Sequence, residues 1–344
     1  MTPEQFYKDK SILITGGCGF IGSELSRQLA AISVQVVVAD NLANGKIENL
    51  TSIPQDKLTV QVVDIRDSDG MRPLVKDADI IFHLACLGVR HSIHSPIENN
   101  EVNASATLEL LSMARDLGVD RFIHVSSSEI YGTAVRVPMN EDTPPFPHTV
   151  YGSSKLAGEC HARAYAKTYC LPTVVLRPFN SYGPNCHHEG DSGEVIPKFM
   201  LRALAGFPML IFGDGSQTRD FSYVEDTARG ILLAGSSAKA VGQTINLGAG
   251  SETTINELSS LIAEVTGASE ASVKHIEPRP GDILRLFADS TRAENLLGFR
   301  PQYDLRSGLQ KLLFWYQNRE LPPEKLLKDD QIKNWLPQDF PLEK

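Results

Sequence analysis

The chain has 344 residues, 42% of them hydrophobic and 22% charged, enough for a large buried core and two lobes. A net charge of −9 argues against a nucleic-acid or anionic-membrane surface, and no apolar run approaches the ~20 residues that span a bilayer. The first ten residues are polar, unlike a signal or transit peptide, and five cysteines without paired spacing point to a reducing compartment, with cytoplasm as the expectation.

The informative stretch comes first. Ile12-Leu13-Ile14 reads as a short buried strand and leads into Thr15-Gly16-Gly17-Cys18-Gly19-Phe20-Ile21-Gly22. Leu25, Leu29 and Ile32 follow at near-helical spacing, and a second apolar run, 34–39, ends at Asp40. Strand, glycine turn, helix, strand and acid form the dinucleotide-binding unit. The glycines permit a tight turn and a close approach of backbone to pyrophosphate. The helix N-terminus offers free N–H groups to the phosphates. Asp40 is placed for the adenosine ribose hydroxyls, and its charge would repel a 2′-phosphate, so NAD is expected over NADP. Cys18 fills a small-residue slot within the turn.

Further strands are predicted over 59–63, 80–84, 121–126 and 172–176, beside those at 11–15 and 35–39. Near-continuous apolar runs of this kind suit a parallel sheet covered on both faces. Helices are predicted over 21–31, 69–75, 97–118 and 149–169, with Gly118 at a C-terminal cap. The expected fold is α/β, a doubly wound Rossmann sheet with a smaller, interleaved α/β substrate-binding lobe. Residues 1–178 form the first part, with some of 220–250 returning to it. Residues 179–219 and 251–320 form the second, with helices at 195–205, 255–265 and 305–318, and a return strand is predicted at 244–247. A proline-rich tail, 321–344, follows as surface wrapping.

Tyr151 and Lys155 stand four apart at the head of a predicted helix, on one face. A phenol titrates near ~10 and needs a nearby cation to act as a base at neutral pH. The Lys155 ammonium and an oxidised nicotinamide ring can both supply that field. Upstream, Ser126-Ser127-Ser128-Glu129-Ile130-Tyr131-Gly132 closes a strand, at the sheet edge where open α/β folds bind ligands. A hydroxyl there can relay a proton to Tyr151, and at least one of the three serines serves only to cap the next turn.

These motifs, continued by Asp64-Ile65-Arg66-Asp67, Phe82-His83-Leu84-Ala85, Arg177-Pro178-Phe179-Asn180, Arg219-Asp220-Phe221 and Arg279-Pro280-Gly281-Asp282, carry a resemblance over residues 10–318. The chain resembles an extended short-chain dehydrogenase/reductase of the nucleotide-sugar epimerase/dehydratase group, which includes UDP-galactose 4-epimerase. The resemblance implies that Gly16, Gly19, Phe20, Ile21, Gly22, Asp40, Asn41, Asp64, Ile65, Leu84, Ala85 and Pro178 hold NAD, together with Tyr151 and Lys155. It implies Ser127 as the catalytic hydroxyl, and Asn180, Val195, Ile196, Arg219 and Arg279 as contacts to a nucleotide-diphosphate sugar. It also implies a homodimer through the helices near 97–117 and 149–169.

Two positions carry the choice of reaction. Glu129 resembles the acid of 4,6-dehydratases and uronic-acid decarboxylases, unless its charge turns to solvent or to a lysine. The segments at 195–199 and 281–290 look more like 4-epimerases, and a 4-epimerase is the favoured reading. The loop 185–194 holds vicinal His187 and His188, which point in different directions in most backbones. It is read as a polar lid that sets sugar choice, with no metal. His83 is read as hydrogen-bonded packing.

Overall fold

A computed structural model describes residues 1–33, 35–268, 272–278, 282–328, 330 and 332. The chain opens with α1 (Pro3–Tyr7), β1 (Ser11–Thr15), α2 (Phe20–Ala30), β2 (Gln35–Asp40), β3 (Leu58–Val62), α3 (Ser68–Lys76) and β4 (Ile80–His83). Then come α4 (Val89–His94), α5 (Pro96–Asn100), a π-helical turn (Glu101–Ser105), α6 (Ala106–Leu117), β5 (Arg121–Val125), α7 (Val150–Tyr169) and β6 (Thr173–Pro178). Among the described residues these strands and β11 (Thr244–Leu247) form one seven-stranded sheet, ordered β11-β6-β5-β4-β1-β2-β3 and parallel throughout.

Alternation along β1 shows why both faces must be covered. Ile12 and Ile14 enter one core with Leu25, Leu29, Val38 and Phe82, while Leu13 enters another with Met71, Leu110, Leu111 and Ala162. α2 and α9 (Val224–Ser236) cover the first face; α3, α6 and α7 cover the second. Strand order reverses between β1 and β4. The crevice at that switch point, beyond the carboxyl ends of the strands, is where such sheets bind ligands.

The remaining elements are β7 (Asn180–Tyr182), α8 (Val195–Leu204), β8 (Met209–Phe212), β9 (Thr218–Arg219), β10 (Phe221–Tyr223), β12 (Thr253–Thr254), α10 (Ile255–Thr266), β13 (Val273–Ile276), α11 (Thr291–Leu297), α12 (Leu305–Gln317) and α13 (Pro323–Leu326). A third core joins Phe199, Met200, Met209, Ile211, Leu258, Ile262, Leu309 and Leu312. β8 and β13 pair in parallel over it. Ala293 of α11 packs back into the first core, so the chain crosses between its halves more than once.

The short strands of the second part and the helices α1, α4, α9, α11 and α13 have no predicted counterpart, and one predicted helix is interrupted. The predicted helix at 97–118 is broken by the π turn, which reorients its polar residues. α9 has no counterpart in the prediction because Gly230 and Gly235 interrupt its helical signal. A Cβ at Gly235 would lie 2.3 Å from the Tyr7 hydroxyl, so packing demanded glycine against helix propensity. Of the 321–344 tail, residues 329, 331 and 333–344 lie outside the described residues. No helix among the described residues is long and apolar enough to cross a membrane.

Under the sheet's far edge, Arg177 (3% exposed) donates Nε and Nη2 to Glu159 (0% exposed) at 2.9 and 2.8 Å. Its Nη1 reaches the Tyr131 hydroxyl at 2.7 Å, which donates to Asn246 at 2.7 Å. Removing one member of a buried pair leaves an uncompensated charge. Glu159→Ala is expected to cost about 3–5 kcal/mol in equilibrium denaturation. Glu264→Ala, which breaks the solvent-exposed Arg306–Glu264 pair, is expected to leave the denaturation midpoint almost unmoved.

Candidate active site

A cavity of about 630 Å³ runs along the carboxyl ends of β1, β2, β4 and β5 and on to α8. Its first end is built around the glycine turn. Gly16 has φ +72°, and a Cβ there would sit 2.7 Å from the Ala85 nitrogen. A Cβ on Gly22 would sit 2.1 Å from the Gly16 carbonyl oxygen. Side chains are therefore excluded from both, and the first N–H groups of α2 stay open to a ligand. This cradle fits a dinucleotide pyrophosphate.

Gly16, Gly19, Phe20, Ile21, Gly22, Asp40, Asn41, Asp64, Ile65, Leu84, Ala85 and Pro178 all line the cavity. Asp40 accepts the Cys18 and Leu42 N–H groups at 2.9 and 2.8 Å, so its carboxylate is held in place before any ribose arrives. Asp64 receives the Arg66 side chain at 2.9 and 2.8 Å and Asn41 Nδ2 at 2.8 Å. The Arg66 bonds hold its carboxyl far below the usual range.

Tyr151, Lys155, Ser127 and Glu129 meet at the middle of the cavity. Thr149 caps α7 by accepting the Gly152 N–H at 3.1 Å, which sets the first turn bearing Tyr151. Burial raises the Tyr151 phenol, and the neighbouring Cys86 thiol, Glu129 and Glu194 add to the rise. The Ser127 hydroxyl beside the phenol works against it. Ser127 also accepts the Glu129 N–H at 3.2 Å, so one serine both caps the turn and serves the tyrosine. Lys155 Nζ donates to the Val125 carbonyl at 2.6 Å, and burial lowers its pKa. The ammonium is thus anchored to the sheet.

Glu129 faces the cavity, not solvent or a lysine. Burial raises its carboxyl, with Asp282 and Glu194 reinforcing and Arg219 and Arg90 opposing. Ser128 is 4% exposed and lies outside the cavity wall.

At the far end, Asn180, Val195 and Arg219 line the wall. The Asn180 Oδ1 is buried with no partner, an acceptor held open. Arg219 spends its guanidinium on Asp282 at 2.7 Å and on the Thr218 and Ile283 carbonyls. Ile196 corrects the expectation: it is 1% exposed within the third core. Successive helical residues project about 100° apart, so α8 offers Val195 and not its neighbour. Arg279 lies outside the described residues.

A polar support that the sequence reading missed lies behind the site. Asn99, Asn103 and Thr107, four apart and all fully buried, face the loop after β4. Asn103 accepts the Leu87 N–H at 2.9 Å and donates to Ser154 at 3.1 Å, tying that loop to α7. Thr107 donates to the Asn103 carbonyl at 2.8 Å and so accepts from His83 Nε2 at 2.8 Å, leaving Nδ1 to accept from Thr15 at 2.7 Å. Three polar residues at i, i+4, i+8 on an otherwise apolar face were the available signal. Cys86, against Tyr151 and Lys155, left none.

The residues match a family. The family model for GDP-mannose 4,6 dehydratase covers residues 13–312. The chain belongs to this family. The UDP-glucose 4-epimerase of Mycolicibacterium smegmatis is 38% identical over 311 residues, 89% of this chain and 98% of that protein. The dTDP-glucose 4,6-dehydratase of Streptomyces niveus is 33% identical over 330 residues, 93% and 96% of the two chains. The structure of DesIV, the dTDP-glucose 4,6-dehydratase of Streptomyces venezuelae solved with NAD bound, has a TM-score of 0.85 and 34% identity, over 90% and 97%. The chain is therefore an enzyme of the NAD-dependent nucleotide-sugar epimerase and dehydratase family, with NAD as its cofactor.

Burial and Lys155 push the His83 ring down to about 3, against an ordinary value of 6.5. The unfolded chain therefore binds the proton first, and stability is lost as pH falls below 6.5 toward 3. His83→Gln is expected to flatten the acid limb of the unfolding free energy, from urea titrations across pH, by about 1.4 kcal/mol per pH unit. An unchanged slope would show that His83 is not the neutral group.

Proposed function

We propose that the protein is a nucleotide-sugar 4-epimerase. One observation carries the reading: the Tyr151 phenol and the Ser127 hydroxyl meet on the cavity wall, while position 128 brings no second acid there. Tyr151 takes the proton of the sugar 4-hydroxyl, and Ser127 steadies the oxygen as it becomes a ketone. When bound, NAD would supply the hydride acceptor and donor for C4. Lys155, fixed to Val125 on the same wall, would hold the nicotinamide end of the cofactor. The Asn180 side-chain N–H and the Arg219 N–H groups beyond those given to Asp282, Thr218 and Ile283 are the donors for the diphosphate, and Val195 packs on the base.

A second reading has its own observation. Glu129 lines the cavity beside Tyr151, where it could remove the C5 proton of the 4-keto sugar. Loss of the 6-hydroxyl then needs a proton donor, and with Ser128 outside the wall Glu129 would have to play both parts.

Incubation with UDP- and dTDP-hexoses, followed by proton NMR, separates the two. Equilibration of two C4 epimers is expected, and a stable 4-keto-6-deoxy product would make the protein a lyase. Tyr151→Phe is expected to lower turnover at least 100-fold with NAD still bound. Glu129→Gln is expected to leave epimerisation within about tenfold; a complete loss would assign the chemistry to Glu129. We further propose a homodimer through α6 and α7, where Leu108, Val150 and Tyr169 remain exposed. Light scattering giving the mass of a single chain would exclude it.

A further inference from the structure

The loop 183–194 joins β7 to α8, yet its outer end is fastened to the other half of the molecule. Glu189 forms an ion pair with Lys46, 143 positions earlier. Lys46 sits on the glycine turn itself: its N–H donates to the Cys18 carbonyl at 3.0 Å, and Asn49 Nδ2 donates to the same oxygen at 2.9 Å. A Cβ on the preceding Gly45 would lie 2.8 Å from Cys18 and 2.9 Å from the Asp40 carboxylate. The lysine is therefore carried by the segment that frames the adenosine end of the cavity.

Four more contacts fix the loop. Asn185 Nδ2 donates to Ser23 Oγ of α2 at 3.3 Å. The His188 ring meets Tyr316 of α12, centroids 6.4 Å apart, and the Glu194 N–H donates to the His187 carbonyl at 2.8 Å, closing the loop on itself. Arg90 stands 3.6 Å from Glu194 at the sugar end. His187, Ser192 and Glu194 line the cavity from the loop's inner side, and Ala43, Asn44 and Gly45 line it from the cofactor side. Burial would raise the Glu189 carboxyl, but Lys46 and His188 hold it at about 2, so the pair is charged throughout the working range.

We infer that this loop is a cofactor-retaining strap, with Lys46 and Glu189 as the positioning residues that hold it shut. The inference rests on the NAD reading of the cavity and is independent of which sugar reaction follows. Either reaction returns the hydride to the sugar it came from, so the dinucleotide must outlast each exchange of substrate. A strap rooted in the substrate lobe and fastened beside the adenosine end lets sugar nucleotides turn over at one end while the other stays closed.

The test measures NAD release from the holoenzyme, loaded with radiolabelled NAD and chased with excess unlabelled NAD. A solvent-exposed pair is modest in strength, so Lys46→Ala and Glu189→Gln are each expected to speed release about two- to fivefold. The charge-swapped double variant, K46E with E189K, is expected to return to within about twofold of wild type. Sodium chloride at about 0.5 M should speed release from wild type and leave Lys46→Ala unmoved. Thermal midpoints should stay together across the set, which separates the strap from a loss of fold. Release from Lys46→Ala at the wild-type rate, or a swap that fails to restore it, overturns the strap alone. A chain that neither carries NAD nor takes it up overturns the cofactor reading with it.

Discussion

Between β1 and α2 the chain packs backbone directly on backbone. Gly16 lies against the Ala85 peptide of the neighbouring strand's loop, and Gly22 lies against the Gly16 carbonyl, with no room for a Cβ at either. That contact draws the start of α2 down onto the end of the sheet. It also brings the loop after β4 within reach of Thr15, whose hydroxyl accepts the Ala85 N–H at 3.3 Å. The cavity floor, the open N–H groups and the position of Cys86 beside Tyr151 all follow from this approach.

The second determinant is the distribution of polar groups inside the sheet layer. His83 is locked between two threonines, and Asn99 and Asn103 hold the loop after β4 against α7. Each group is hydrogen-bonded, which is the condition for burying it at tolerable cost. These bonds fix α7 relative to the sheet, and Lys155 completes the link by donating to Val125. The π turn at Glu101–Ser105 belongs to the same arrangement, because it aims Asn103 at both Leu87 and Ser154.

Much of this was legible in the sequence because one period recurs. Continuous apolar strands between amphipathic helices gave the parallel sheet, and the turn motif gave its ligand-binding end. What escaped the pattern had physical reasons. α9 was hidden by glycines that Tyr7, Phe82 and Leu247 require. Ile196 was assigned to the wall because periodicity does not say which of two adjacent apolar residues faces a cavity. Glu129 could not be placed from sequence, since the turn at Ser128–Tyr131 decides its direction. The fastening of Glu189 to Lys46 joins residues with no local relation at all.

Placement of charge also explains how proton transfer is confined to a loaded site. Burial raises both the Tyr151 phenol and the Glu129 carboxyl, and Glu194 strengthens the effect on each. Ser127 brings only a neutral hydroxyl, and the Lys155 ammonium is committed to Val125. The resident groups therefore leave the phenol a poor base. A further positive charge brought to the same wall, as by an oxidised nicotinamide ring, favours the phenolate where the interior screens it least. The same field opposes the rise that burial imposes on Glu129, so it acts on both groups in the same sense. What separates epimerisation from elimination is then geometric: whether the 4-keto sugar turns its carbonyl within the cavity before its C5 hydrogen comes within reach of Glu129. Arg90, carried by the dinucleotide fold, and Glu194, carried by the loop before α8, border the wall where that turn would take place, so both halves of the chain bear on the outcome.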